Sequence, residues 1–85
     1  MNLAELYKEI FGPEIKPGEA ELQALVDTIA FLPDQQFYAV FHHYYHGKAI
    51  ECVAEEAGRP PAVVELWRSQ GVGMMRLFFR KYKDE

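Results

Sequence analysis

The chain has 85 residues, room for one domain, and 49% are hydrophobic and 14% aromatic, enough apolar material for a core and against global disorder. The formal net charge of −4 argues against a strong general affinity for nucleic acid, and the lone cysteine, Cys52, excludes an intrachain disulfide and a cysteine-based zinc cluster. No stretch nears the roughly 18 apolar residues of a membrane span, and Met1 to Phe11 carries Glu5, Lys8 and Glu9 where a secretory leader is apolar, so a reduced, cytoplasmic setting is expected.

Asn2 is placed to cap a first helix, with Glu5 completing a capping box, and Leu3, Leu6, Tyr7, Ile10 and Phe11 recur at helical spacing. Gly12-Pro13 stops that helix and Pro13 to Gly18 reads as a linker, which sets residues 1–17 apart from a domain at 18–85. A second helix runs from about Glu19 to Phe31 on the apolar face Ala20, Leu22, Leu25, Val26, Ile29 and Ala30, and Leu32-Pro33-Asp34 breaks it. Asp34 is a good N-cap for a third helix, Gln35 to about His46, whose apolar face is Phe37, Tyr38, Val40, Phe41, Tyr44 and Tyr45. Gly47 ends it, and a fourth helix, Ala49 to Ala57, follows at once. Gly58 ends the fourth, and a fifth starts near Pro60, where proline is tolerated, and runs through Trp67 towards Tyr82. Gly71-Val72-Gly73 marks a place for a kink or break. No segment alternates apolar and polar residues for long, so the fold class is all-α, a small bundle of about five helices.

Charge is unevenly spread. Residues 1–57 hold three lysines against ten carboxylates, a balance of −7. Residues 58–85 hold Arg59, Arg68, Arg76, Arg80, Lys81 and Lys83 against Glu65, Asp84 and Glu85, a balance of +3, which permits a local DNA contact inside an acidic protein.

The fourth and fifth helices, joined by a tight turn, have the skeleton of a helix-turn-helix at residues 49–70. Ala54 stands four residues before Gly58 and Val64 six after it. A small residue at 54 lets the helices cross closely, a glycine at 58 supplies a positive φ, and Val64 plugs the fifth helix into the core. From Leu32 to about Leu77 the chain resembles the C-terminal, promoter-reading domain of bacterial sigma factors, particularly the extracytoplasmic-function type. The resemblance is carried by Leu32-Pro33, Tyr44 and Gly47, Val53-Ala54-Glu55, Gly58 and Val64, without a gap, over a little more than half of the chain. It implies a lone sigma-like domain acting in transcription, with promoter-type DNA and RNA polymerase as partners. It places Arg59, Ala62, Val63, Glu65, Leu66, Arg68, Ser69 and Arg76 at or near the DNA. The family's reading helix is rich in Thr, Ser, Lys and Arg; here the corresponding segment is Pro60, Pro61, Ala62, Val63, Glu65 and Leu66.

That apolar segment supports a second reading from a different class, a protein-interaction module that reuses the same fold with little or no sequence-specific DNA binding. Its contact residues would be Val63, Leu66, Met75 and Phe79, for a protein partner or a second copy of the chain. Trp67 shares a helical face with Val64, Gly71, Met74 and Phe78 and is expected in the core. His42 and His46 have the four-residue spacing of a helical metal pair but no fixed third ligand, so no metal is assigned, and no other cofactor. Cys52 is expected as a buried or half-buried thiol. No phosphate loop, nucleophile triad or acid pair emerges, and no enzymatic activity is expected. The first helix is expected to pack on Phe78 and Phe79, or those residues to make a dimer contact.

Overall fold

Helices supply all regular structure among the described residues of the computed structural model, which are 2–14 and 16–83, with side chains described as far as Arg80. Helix α1 spans Leu3–Phe11, α2 Glu19–Ile29, α3 Asp34–Val40, α4 Ile50–Ala57 and α5 Pro61–Lys83; a π-turn, Phe41–Tyr45, extends α3. The all-α bundle expected from the sequence is the one observed. Helix α5 is its spine: 23 residues at about 1.5 Å each make a rod close to the 40 Å length of the molecule.

Two apolar clusters flank α5. The larger joins Leu3, Leu6 and Tyr7 of α1, Leu25 and Ile29 of α2, Val40, Tyr44 of the π-turn, and Val72 and Met75 of α5. Leu6, Leu25, Ile29, Val40 and Met75 are fully buried, each worth about 1.5–3 kcal/mol against exposure. Residues 3–7 therefore belong to the same core as the rest of the chain rather than to an appendage. The smaller cluster joins Ala39 of α3, Val53 and Ala54 of α4 and Val64 of α5, with Tyr38, Ile50 and Trp67 packed at its edge.

Local structure departs from the sequence expectations at several caps. Asn2 does not cap α1 with its side chain; its backbone N–H donates to Tyr44 O at 2.6 Å, tying the chain start to the end of the π-turn. Helix α2 stops at Ile29, short of Phe31, because Phe31 and Leu32 donate to Thr28 O and Ile29 O in a tighter turn. Pro33, not Asp34, is the cap residue of α3, and Asp34 sits in the first turn, where its charge favours the helix dipole. The third helix was expected to run unbroken to His46. Instead the ladder widens after Val40, and His46 N–H reaches back five residues to Phe41 O.

Two glycine expectations had opposite outcomes. Gly58 adopts φ +66° and closes α4 with bonds from Gly58 N–H and Arg59 N–H to the last turn, as the turn required. Gly71 and Gly73 do not break α5, which is helical throughout. Gly71 marks the closest approach of α3, since a Cβ there would lie 2.6 Å from Val40 Cγ2.

Candidate functional site

The first three turns of α5 and the turn before them carry most of the residues assigned to a contact surface. Gly58 in its left-handed conformation turns the chain sharply, and Val64, fully buried against Ala39, Val53 and Ala54, fixes the rotation of α5 about its axis. That rotation leaves Arg59, Ala62, Glu65, Leu66, Ser69 and Gln70 exposed and Val63 half-buried. Leu66, 55% exposed, is the large apolar group of this surface. Trp67 is half-buried and packs on the smaller cluster.

The cations are distributed unevenly between solvent and structure. Arg68 turns inward. Its Nε donates to Glu65 Oε2 at 2.9 Å, Nη2 to the other oxygen of that carboxylate, and Nη1 to Tyr44 Oη at 2.8 Å and Glu9 Oε2 at 3.4 Å. The Glu65 bond holds the guanidinium firmly in its charged form, and the same bond keeps the Glu65 carboxyl below its ordinary range. Tyr44 Oη in turn donates to Glu9 Oε2 at 2.6 Å, and burial first, then Glu9, raises its hydroxyl pKa well above the usual value. Arg76 donates from Nε and Nη2 to the carbonyl of Glu9 at 3.0 and 2.7 Å, which closes the C-terminal turn of α1 with a cation. The two arginines therefore join α1 to α5. Arg59 is exposed and takes part in no ion pair among the described residues. The side chains of Lys81 and Lys83 lie outside the described ones, and Asp84 and Glu85 outside the described residues.

The amides at the start of α5 are also largely committed. Pro60 and Pro61 have no N–H, and those of Val63 and Val64 donate to Pro60 O at 3.0 and 3.3 Å. Across the turn, α4 exposes Glu51, Cys52, Glu55 and Glu56, with Lys48 Nζ bridging Glu56 at 2.9 Å. Cys52 was expected to be buried or half-buried. It is exposed, because α4 turns its Val53–Ala54 edge inward.

Two residues assigned to a protein-contact surface are elsewhere. Met75 is fully buried in the larger cluster and is no surface group: one helical turn from Val72, it points with it into the core. Phe79 packs edge-on against Phe11, ring centroids 5.1 Å apart. Phe78 is not covered by α1; it stacks on Phe31 of the α2 end and stays half-exposed. The expected contact of the first helix with the aromatic segment is therefore made at Phe79 alone.

The sequence assigns neither Tyr44 nor Glu9 to the site: Tyr44 stands on an apolar face and in the resemblance, and Glu9 is one of the charges of the first helix. Their partnership depends on bringing residues 9, 44 and 68 together, and no local pattern announces that. Among the described residues, no group of three or more His, Cys, Asp or Glu is placed to hold a metal, and no helix is long and apolar enough to cross a membrane. His42 has Nδ1 buried without a partner, and burial first, then Lys48 and His46, holds its pKa below the ordinary 6.5. Comparison with protein-family models, with curated proteins and with solved structures returns no match for this chain.

Proposed function

We propose that the chain is a sigma-like helix-turn-helix protein acting in transcription in the cytoplasm, through a weak contact to promoter-type DNA, through RNA polymerase, or through both. The observation that carries this reading is the α4–Gly58–α5 unit: a left-handed glycine between two helices locked by Ala54 and Val64 on Ala39. Such a unit presents the first turns of its second helix as one rigid outward face, the requirement for docking in a groove. Arg59, Ala62, Ser69 and Gln70 offer that face its polar and small contacts. Arg68, bonded to Glu65, Tyr44 and Glu9, and Arg76, bonded through Nε and Nη2 to the Glu9 carbonyl, serve mainly as structural cations.

Few phosphates can then be neutralised. Titration of a labelled duplex at two salt concentrations is expected to show weak binding with a shallow salt slope, about −0.9 per phosphate contacted. Arg59→Ala is expected to weaken it further. Tight binding that ignores salt contradicts the reading, as does failure to bind both duplex and purified RNA polymerase.

A second reading, a protein-interaction module without sequence-specific DNA binding, is favoured by one observation. The large exposed apolar group on the outward face is Leu66, beside half-buried Val63, and apolar groups at a surface serve protein partners better than phosphates. Leu66→Ala separates the two readings: under the module reading it is expected to remove binding of the protein partner, and under the first to leave duplex binding within about twofold, since it adds no charge to the face that meets the phosphates.

A further inference from the structure

The far half of α5 carries an apolar surface that the outward face does not use. Phe31 is 78% exposed, Leu77 65%, Phe78 50% and Met74 47%. The four form one patch. The rings of Phe31 and Phe78 lie parallel, 12° apart in plane with centroids 6.4 Å apart, and Met74, Leu77 and Phe78 are neighbours on the helix at three- and four-residue spacing. The patch begins about 12 Å along the helix axis from Leu66, so it is separate from the surface assigned to function above.

The flanks of the patch are oppositely charged. Asp27 lines the cleft with Phe31 and Phe78 on the α2 side. Arg80, three residues beyond Leu77, lies on the other side and lines the cleft against Ile10 and Phe11 of α1. Passing over the surface, the order is acid, two stacked rings, two aliphatic groups, base. A two-fold axis lying in the interface along α5 sets the acid of one copy against the base of the other, while the apolar groups meet at the centre. A patch with this order is self-complementary, the condition for an isologous contact.

We propose that this face is the interface of a weak homodimer, with Phe31, Met74, Leu77 and Phe78 at its centre and Asp27 paired with Arg80 of the second copy. The size of the patch sets the strength. Aromatic side chains present about 150–250 Å² and Leu and Met about the lower end of that, so the observed exposures leave about 400–500 Å² per copy, or about 800–1,000 Å² for the pair. Stable interfaces bury about 1,200–2,000 Å² in all, so the polar rim must supply the rest and association belongs to the weak, transient class.

Sedimentation velocity on the full chain, from micromolar to near-millimolar concentration, tests the proposal. The mass is expected to rise from monomer towards dimer over that range. Leu77→Glu is expected to hold it at the monomer throughout with helix content unchanged, because Leu77 is mostly in solvent. Asp27→Lys and Arg80→Glu are each expected to weaken association several-fold, and the double variant to recover it. A chain that stays monomeric, a dimer indifferent to Leu77→Glu, or a double variant that fails to recover overturns the proposal. A monomer whose patch signals in NMR respond only to added RNA polymerase overturns it in favour of a heterologous partner.

Discussion

Arg68 is held by groups from three parts of the chain, and that arrangement decides what an arginine on the fifth helix does. From the sequence it stood among the cations of a basic last third. In the structure it satisfies Glu65, Tyr44 and Glu9 and is largely out of water. Tyr44 Oη, the buried member, has both Glu9 and Arg68 as partners, so losing either one leaves it the other. Glycine at the same scale allows a sharper comparison. Gly71→Ala puts a Cβ against Val40 in a fully buried contact, whereas at Gly73 the new methyl meets nothing within 4 Å. Both sit inside α5, where alanine is favoured over glycine by about 0.5–1 kcal/mol. Gly73→Ala is therefore expected to raise the urea midpoint, and Gly71→Ala to lower it because the overpacking outweighs the propensity gain. The two midpoints, read by circular dichroism at one concentration, check this.

His42 makes a second prediction at residue scale. It faces Lys48, His46 and Glu56, and its folded pKa lies below 6.5. Below about pH 6.5 the unfolded chain takes up a proton there more readily than the folded one, so stability falls as pH drops through that value towards the folded pKa. Glu65, also depressed, acts in the same direction in the carboxylate range. His42→Phe keeps a ring against Tyr38 but cannot titrate. It is expected to flatten the loss between about pH 6.5 and 5, from the unperturbed histidine pKa downward, and to leave the loss at lower pH. An unchanged profile of urea midpoint against pH removes His42 as its source.

At the level of elements, helix positions were readable because apolar residues repeat at helical spacing and because glycine and proline mark most ends. Leu3, Leu6 and Tyr7 gave α1, and Gly58 gave the turn before α5. The π-turn at Phe41–Tyr45 was not readable. A helix widened by one residue keeps the same apolar composition, and the bond that defines it, His46 N–H to Phe41 O, has no sequence signature. The outward face was legible in part: Val64 fixed its rotation, but the inward turn of Arg68 and the burial of Met75 depend on α1, whose docking position no local pattern specifies. That helix is also the element most open to test. Deleting residues 1–12 removes three side chains from the larger cluster, about 5–9 kcal/mol of burial, comparable to the whole stability of a small domain. The truncated chain is expected to lose cooperative thermal unfolding and to aggregate. A truncated chain that melts cooperatively and stays in solution shows that α1 contributes little to the core.

Across the whole molecule, acid and base are separated along the chain and partly rejoined in space. The balance of −7 in residues 1–57 meets the balance of +3 in residues 58–85 where Glu9 touches Arg68 and Arg76. That contact accounts for why a basic C-terminal third need not make a strong polyanion binder. It also bears on how the protein is made. Helix α1 leaves the ribosome well before Met75, Arg76 and Phe79, against which it rests. At translation rates of about 5–20 residues per second, the Leu3–Leu6–Tyr7 stripe waits several seconds for its partners. The α3–α4–α5 contacts span shorter stretches of chain and close sooner. During synthesis, then, α1 is a sticky amphipathic segment until the far half of α5 emerges, and an arrested nascent chain that stops before residue 75 is a strongly chaperone-dependent form.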